Sequence, residues 1–222
     1  MKKRIITILL ALTMLMTMIC AAVVAEGNAF ADVPEKAFFY EAVNWAQEEG
    51  ITQGMHDGLF HPDELCNRAQ VVTFLWRLEG RPTVSGRNHF IDVEQGSWYA
   101  DAVQWAVVQK ITQGMGENTF QPNTICNRGQ IVTFLWRYAG KPTSDSENPF
   151  ADVSEDAFYY EAVKWAVENG ITNGLTDTTF GPDVPCNRAQ VVTFLYRYAM
   201  QANEPPVTEP TEPDWGMGEV EF

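Results

Sequence analysis

One stretch recurs three times in this chain at intervals of 60 residues, and it constrains the fold more than any other feature. The copies are CNRAQVVTFLWR from Cys66, CNRGQIVTFLWR from Cys126 and CNRAQVVTFLYR from Cys186. Three other motifs keep the same register without a gap: F-x-D-V, I-T-x-G and F-x-P. A fixed period of this kind indicates supersecondary units that bury their apolar faces against their neighbours.

Each unit begins with a segment that predicts an amphipathic helix. After the first F-x-D-V motif, apolar residues fall at positions i, i+3, i+4 and i+7, namely Phe39, Ala42, Val43 and Ala46. Gly50 and Gly170 stand where a C-terminal glycine would end this helix, although Lys110 occupies the position in the middle unit.

The recurring stretch itself predicts a second helix. Asn67 is a good N-cap, and Gln70 stands three residues later, as a capping box requires. The residues that follow are apolar around most of the helix, which is typical of an interior helix. We therefore expect an all-α fold of three tandem helix-loop-helix repeats, packed as a pseudo-threefold bundle. In it, the three second helices form a central bundle and the first helices pack outside.

The two ends differ from the repeats. Residues 1–25 predict an export signal: three basic residues, an apolar run and a Val-Val-Ala cleavage site. An uncleaved membrane anchor, or a lipid on Cys20, are the alternatives. Residues 201–222 are rich in Pro, Glu and Thr and predict a disordered acidic tail, in which Trp215 and Phe222 form a candidate docking patch for a protein partner. The predicted domains are 1–25, 26–84, 85–144, 145–200 and 201–222.

The net charge limits the class of ligand. The chain carries 15 basic and 29 acidic residues, a formal charge of −14. Removal of the three basic residues of the signal leaves 12 basic against 29 acidic residues, or −17. Nucleic acid is a poor partner for such a field. A polyanion must therefore be recognised locally, by placed basic groups.

Taken together, the repeated motifs resemble the S-layer homology domain family over about residues 29–198. The resemblance implies a three-pronged helical spindle. It also implies non-covalent attachment of an exported bacterial protein to secondary polysaccharides on peptidoglycan, which are often pyruvylated, through grooves between adjacent modules beside a T-R-A-E motif. Here that motif reads N-R-A-Q, N-R-G-Q and N-R-A-Q. Asparagine keeps a capping oxygen, whereas glutamine keeps an acceptor and removes a negative charge, which leaves pyruvylation of the polymer open.

The candidate ligand-binding residues recur once per repeat. An arginine in the first turn of a capped helix offers a planar fork of donors to a carboxylate or phosphate, beside a helix end that also favours anions. Nearby carboxylates and glutamines orient it or bind sugar hydroxyls, and tryptophans stack on sugar faces. The predicted set is Arg68, Arg128, Arg188, Asp32, Asp92, Asp152, Gln70, Gln130, Gln190, Trp45, Trp105 and Trp165.

Each of these side chains also has a purely structural interpretation. The arginines would pair with nearby carboxylates. The aspartates would satisfy backbone amides at a turn, and the tryptophans would belong to the core.

The sequence predicts no cofactor, no metal and no catalysis. Cys66, Cys126 and Cys186 are interpreted as small buried residues, with a three-thiolate zinc site as the alternative. Asp57 and Asp63 suggest a calcium loop only weakly. The histidines do not recur in the repeat, and an active site is normally a single constellation rather than a threefold one.

The prediction is therefore a secreted, non-catalytic anchoring module of the bacterial cell wall. It binds an anionic secondary polysaccharide and neither nucleic acid nor, after signal cleavage, a membrane. An extracellular helical-repeat scaffold for protein partners is the main alternative, and a lattice subunit is another.

Overall fold

A computed structural model of the chain describes residues 30–202. Six helices and no extended strand occur in this range, which confirms the all-α repeat fold. The helices are α1 (Tyr40–Glu48), α2 (Arg68–Leu78), α3 (Ala100–Val108), α4 (Arg128–Tyr138), α5 (Tyr160–Glu168) and α6 (Arg188–Ala202). The predicted signal, residues 26–29 and the tail beyond residue 202 lie outside the described residues. Within them, no helix combines the length and the apolar character that a membrane span needs.

The three long helices begin as the sequence predicted. In the first repeat the Asn67 side chain accepts a hydrogen bond from the Gln70 amide at 2.9 Å, and the Gln70 side chain accepts one from the Asn67 amide at 2.9 Å. The same reciprocal pair occurs at the starts of α4 and α6. The capping box is thus confirmed in all three repeats, and it fixes the first turn from which each arginine extends.

The helix pairs are formed between repeats rather than within them. Helix α2 packs on α3, α4 packs on α5, and α6 packs on α1, so the first helix of each repeat lies against the long helix of the preceding one. Helices α2 and α4 also contact each other. The predicted threefold arrangement is therefore present, but it is built from three two-helix pairs that each join consecutive repeats in a closed ring.

The short helices end as their sequences suggested. Gly50 and Gly170 have φ angles of 67° and 58°, the left-handed conformation that glycine adopts without strain. Lys110 is at φ 60° in the middle repeat, so the same backbone turn is made there by a residue with a Cβ. The position therefore tolerates a non-glycine residue at a cost in strain of order 1 kcal/mol.

The three cysteines meet at the centre of the ring. The Cys66 amide donates to the Cys186 carbonyl, the Cys126 amide to the Cys66 carbonyl and the Cys186 amide to the Cys126 carbonyl, at 2.9–3.0 Å. All three side chains are buried and unpaired. This cycle of backbone hydrogen bonds joins the three repeats directly at the pseudo-threefold axis.

The buried thiols give a first prediction. Burial raises the pKa of Cys126 and Cys186 to about 12, and it raises the pKa of Cys66 as well. We expect Cys66, Cys126 and Cys186 to resist alkylation by iodoacetamide in native protein at pH 8 and to react in denaturant, as mass spectrometry of the peptides will show. Because unfolded thiols ionise near pH 9, the free energy of unfolding should be fully retained below pH 9 and fall as the pH rises towards 12. Rapid labelling of the native state would contradict this burial.

Candidate anion-binding clefts between repeats

Each repeat places its motif arginine inside the next repeat. The Arg68 guanidinium lies between the rings of Phe120 and Phe134, at 4.7 and 5.2 Å from the two centroids. Its Nε donates to the Phe120 carbonyl at 2.8 Å, and one terminal nitrogen donates to Thr112 Oγ1 at 3.4 Å. Arg68 therefore helps to hold repeats 1 and 2 together while its remaining terminal donors stay available.

The same contact recurs around the ring. Arg128 Nε donates to the Phe180 carbonyl at 2.9 Å, and Arg188 Nε donates to the Phe60 carbonyl at 2.8 Å. The last of these contacts closes the ring from repeat 3 back to repeat 1. We name the three sites cleft 1, cleft 2 and cleft 3, after Arg68, Arg128 and Arg188 respectively.

These arginines are buried without a carboxylate partner. Their exposed fractions are 2%, 4% and 2%, and no carboxylate oxygen between residues 30 and 202 lies within 4 Å of their guanidinium groups. Burial lowers the pKa of each of them, although a guanidinium stays protonated at any physiological pH. A buried charge that lacks an ionic partner is costly to the fold, so it marks a candidate site for an anion.

Cleft 1 is an open cavity of about 240 Å³. It brings Arg68 together with a second arginine, Arg137, whose positive charge contributes to the lowered pKa of Arg68. Gln130 lies on its wall, and Met115 and Phe158 provide apolar surface. The cleft therefore offers two cations, an amide and an exposed aromatic ring to one ligand.

The other two clefts pair arginines in the same way. In cleft 2, Arg128 donates to Thr172 Oγ1 and to the Asn173 carbonyl, while Arg197 donates to the neighbouring Ile171 carbonyl. In cleft 3, burial lowers the pKa of Arg77, and the positive charges of Arg81 and Arg188 lower it further. Each cleft thus has one buried and one half-buried arginine.

Sequence reasoning missed this second arginine and the exposed aromatic ring. Arg77, Arg137 and Arg197 end the recurring stretch, so their threefold recurrence was the available signal. The aromatic positions equivalent to Phe158 are Phe38 and Trp98, and the three side chains are 61%, 70% and 59% exposed. They stand in the doublets Phe38-Phe39, Trp98-Tyr99 and Phe158-Tyr159, in which one ring of each pair packs and the other faces solvent.

The structure places the predicted aspartates on backbone amides. Asp92 accepts from the amides of Phe120 and Gln121 at 2.8 and 2.7 Å. Asp32 and Asp152 do the same in their own repeats. The Phe120 carbonyl accepts the hydrogen bond from Arg68 Nε, so the Asp92 carboxylate holds in place the residue that binds Arg68.

The predicted glutamines and tryptophans are placed differently from one another. Gln70, Gln130 and Gln190 are half-buried and use their side-chain oxygens in the capping boxes, and Gln130 also lines cleft 1. Trp105 and Trp165 are only 1% and 5% exposed, and Trp45 is half-buried. The tryptophans pack on tyrosines of the long helices, so the open aromatic surface at the clefts belongs to Phe38, Trp98 and Phe158 instead.

Neither metal alternative gains a ligand set from the structure. In the described part of the chain, no three His, Cys, Asp or Glu side chains are grouped so that they would hold a metal ion. Asp57 instead lies 2.7 Å from His61 Nε2, which lowers the pKa of the carboxyl. The cysteines at the axis remain buried thiols.

Known proteins share this repeat. The sequence profile of the S-layer homology domain matches residues 29–72, 89–132 and 149–192. An S-layer protein of Bacillus thuringiensis subsp. finitimus is 26% identical over 182 residues, 80% of this chain and 22% of that protein. A cellulosome-anchoring protein of Acetivibrio thermocellus is 25% identical over 154 residues, 65% of this chain and 34% of that protein. Exoglucanase XynX of the same species is 27% identical over 173 residues, 72% of this chain and 16% of that protein. This chain therefore spans about a third or less of the length of these relatives.

Proposed function

Because this chain belongs to the S-layer homology domain family, we propose that it is a non-catalytic module that fastens its protein to the bacterial cell wall. The ligand is an anionic secondary polysaccharide attached to peptidoglycan, bound in the clefts between repeats. The names of the relatives support this role, since they include S-layer proteins and a cellulosome-anchoring protein. Enzymes also occur among the relatives, and this chain matches a small share of each.

The observation that carries the proposal is the unpaired buried arginine in each cleft. A carboxylate or phosphate of the polymer supplies the missing negative charge to Arg68 and Arg137 together. Charge-assisted hydrogen bonds of this kind contribute about 1.5–3 kcal/mol each. A pyruvate ketal on a sugar ring would bring such a carboxylate beside an apolar methyl group, which suits a cleft that also presents Met115 and Phe158.

Three equivalent clefts allow one polymer to bind more than once. A repeating polysaccharide that occupies one cleft holds its next charged sugar at a high effective concentration near the neighbouring clefts. The affinity of the whole module then exceeds that of a single cleft by a large factor. The desolvated contacts also resist screening, so moderate salt should weaken binding little.

The proposal is tested by sedimentation of the mature chain with purified Gram-positive sacculi. Sacculi that retain their secondary polymer should carry the protein down, and sacculi from which acid has removed the polymer should leave it in solution. Failure to sediment with untreated sacculi from several such walls would reject wall anchoring. That result would favour the alternative function, a scaffold for protein partners. Binding of a defined peptide in the same clefts is the corresponding test.

The exposed aromatic rings give a second prediction. We expect Phe158→Ala to weaken sedimentation with sacculi by about fivefold, since an aromatic contact adds roughly 1 kcal/mol. The melting temperature should stay unchanged because the ring is 61% exposed in the free protein. Ile91→Ala is the matched control, since Ile91 is 82% exposed and does not line cleft 1. Equal binding by both variants would show that the ring at position 158 makes no contact with the polymer.

A further inference from the structure

Cleft 2 differs from the other two clefts because the C-terminal segment leaves the fold beside it. Gln201 Nε2 lies 3.1 Å from the point that a Cβ on Gly170 would occupy, so the end of α6 lies against Gly170. The next three residues, 171–173, accept hydrogen bonds from both arginines of cleft 2. The carbonyl of residue 171 accepts from Arg197, and the hydroxyl of residue 172 and the carbonyl of residue 173 accept from Arg128. The chain therefore leaves the fold where the wall of cleft 2 begins.

The segment that follows has the charge that cleft 2 lacks. Residues 203–222 contain six carboxylates, at positions 204, 209, 212, 214, 219 and 221, and no lysine or arginine. Between residues 30 and 202, by contrast, neither Arg128 nor Arg197 has a carboxylate within 4 Å. The segment also carries Trp215 among its carboxylates. Leu175 and Phe38, which hold in their own repeats the positions of Met115 and Phe158 in cleft 1, are 51% and 70% exposed.

The distances allow the contact within one chain. Arg197 precedes Ala202 by five residues, which is about 7.5 Å along a helix axis. A segment of 20 residues reaches up to roughly 60 Å when extended. The first acidic residues of the segment are therefore within reach of Arg197 in cleft 2.

We propose that the acidic segment 203–222 binds in cleft 2 of its own chain, with its carboxylates on Arg128 and Arg197, and competes there with the anionic polymer. The competition rests on the proposed function, because the polymer would bind the same two arginines. A tethered competitor acts at an effective concentration in the millimolar range, so even a weak contact occupies the cleft. The apparent affinity of cleft 2 for polymer falls in proportion to the fraction of time the cleft is free.

The test compares two full-length variants with the same net charge. In the tail variant the segment's six carboxylates are changed to amides (E204Q, E209Q, E212Q, D214N, E219Q and E221Q). The control variant changes six exposed carboxylates on the helical repeats instead (E48Q, E49Q, E94Q, E117Q, E155Q and E168Q). The tail variant should bind untreated sacculi at least about threefold more tightly than the control variant. Equal binding of the two variants to sacculi overturns the competition.

A direct readout does not depend on the polymer. In ¹⁵N spectra of the arginine side chains, the Nε–H signals of Arg128 and Arg197 should differ between the wild type and the tail variant, while those of Arg68 and Arg137 stay in place. A synthetic peptide of residues 203–222 added to the tail variant should restore the wild-type positions, but not when Arg128 and Arg197 are both changed to Gln. Unchanged signals overturn the proposal, as do shifts that grow with protein concentration, which would mean contact between chains. If the signals shift but no variant binds sacculi, wall anchoring fails and the contact of the segment stands.

Discussion

Replacement of the three buried arginines by methionine is expected to abolish wall binding while the fold survives. In the triple variant R68M/R128M/R188M, the methionine chains fill the space between the paired phenyl rings but carry no charge. Each cleft loses at least one charge-assisted contact of about 1.5–3 kcal/mol, and the loss compounds over three clefts. We expect sedimentation with untreated sacculi to fall by at least about 100-fold.

The stability of this variant distinguishes a binding role from a structural one. Removal of a buried charge that has no ionic partner relieves a desolvation cost, which offsets the lost hydrogen bond to the carbonyl of the next repeat. The free energy of unfolding should therefore change by no more than about 2 kcal/mol per site in urea titrations. A variant that unfolds outright would show that the guanidinium groups mainly hold the repeats together. In that event the half-buried set R77Q/R137Q/R197Q still tests binding, because those side chains make fewer buried contacts.

The second large effect is expected at Asp92. Its two carboxylate oxygens accept the amides of Phe120 and Gln121, and hydrogen bonds to a charged group contribute about 1.5–3 kcal/mol each. Asp92→Ala should therefore lower the free energy of unfolding by about 3 kcal/mol or more, measured by urea denaturation. Binding at cleft 1 should weaken as well, because the Phe120 carbonyl that positions Arg68 loses its support.

Two other variants calibrate this result. Asp92→Asn keeps one acceptor oxygen, so its free energy of unfolding should fall by roughly half as much as that of Asp92→Ala. Asp145→Ala removes an exposed carboxylate for which the structure shows no hydrogen bond, and it should change stability by less than about 0.5 kcal/mol. If Asp92→Ala were no more destabilising than Asp145→Ala, the Asp92 carboxylate would not stabilise the fold. That result would favour a direct contact between Asp92 and the ligand.

The features that could be predicted from the sequence are those that depend on local chemistry. The 60-residue period, the amphipathic first helices and the Asn67–Gln70 capping box follow from residue types at fixed spacings, and the structure confirms them. The arginine of each repeat was identified because it recurs beside a cap. Its burial between Phe120 and Phe134, two rings that belong to the next repeat, depends on how the repeats are ordered around the axis, which no local pattern encodes.

The distribution of aromatic residues shows the same limit. Trp105 was a reasonable candidate for sugar stacking, yet the pairing of helices between repeats covers it. Trp98 was not considered, although its neighbour Tyr99 packs inside and leaves it exposed. Which aromatic side chain of a doublet is exposed depends on how neighbouring repeats pack together, and the residue types alone do not determine it. The second arginine of each cleft could not be predicted for a similar reason: Arg137 shares its cleft with Arg68, which belongs to another repeat.

The closed ring also governs how the chain can fold. The bond from Arg188 to the Phe60 carbonyl joins residues 128 positions apart, and α1 packs only on α6 among its strong helix contacts. Helix α1 therefore has no long-helix partner until the third repeat has been synthesised. Such distant pairing raises the contact order and favours slow, all-or-none folding of the three repeats over stepwise growth. A chain interrupted before Arg188 would lack the last long helix, and with it the buried arginine of cleft 3 and the half-buried Arg197 of cleft 2. The ring, and two of its three clefts, are therefore complete only when the third repeat is present.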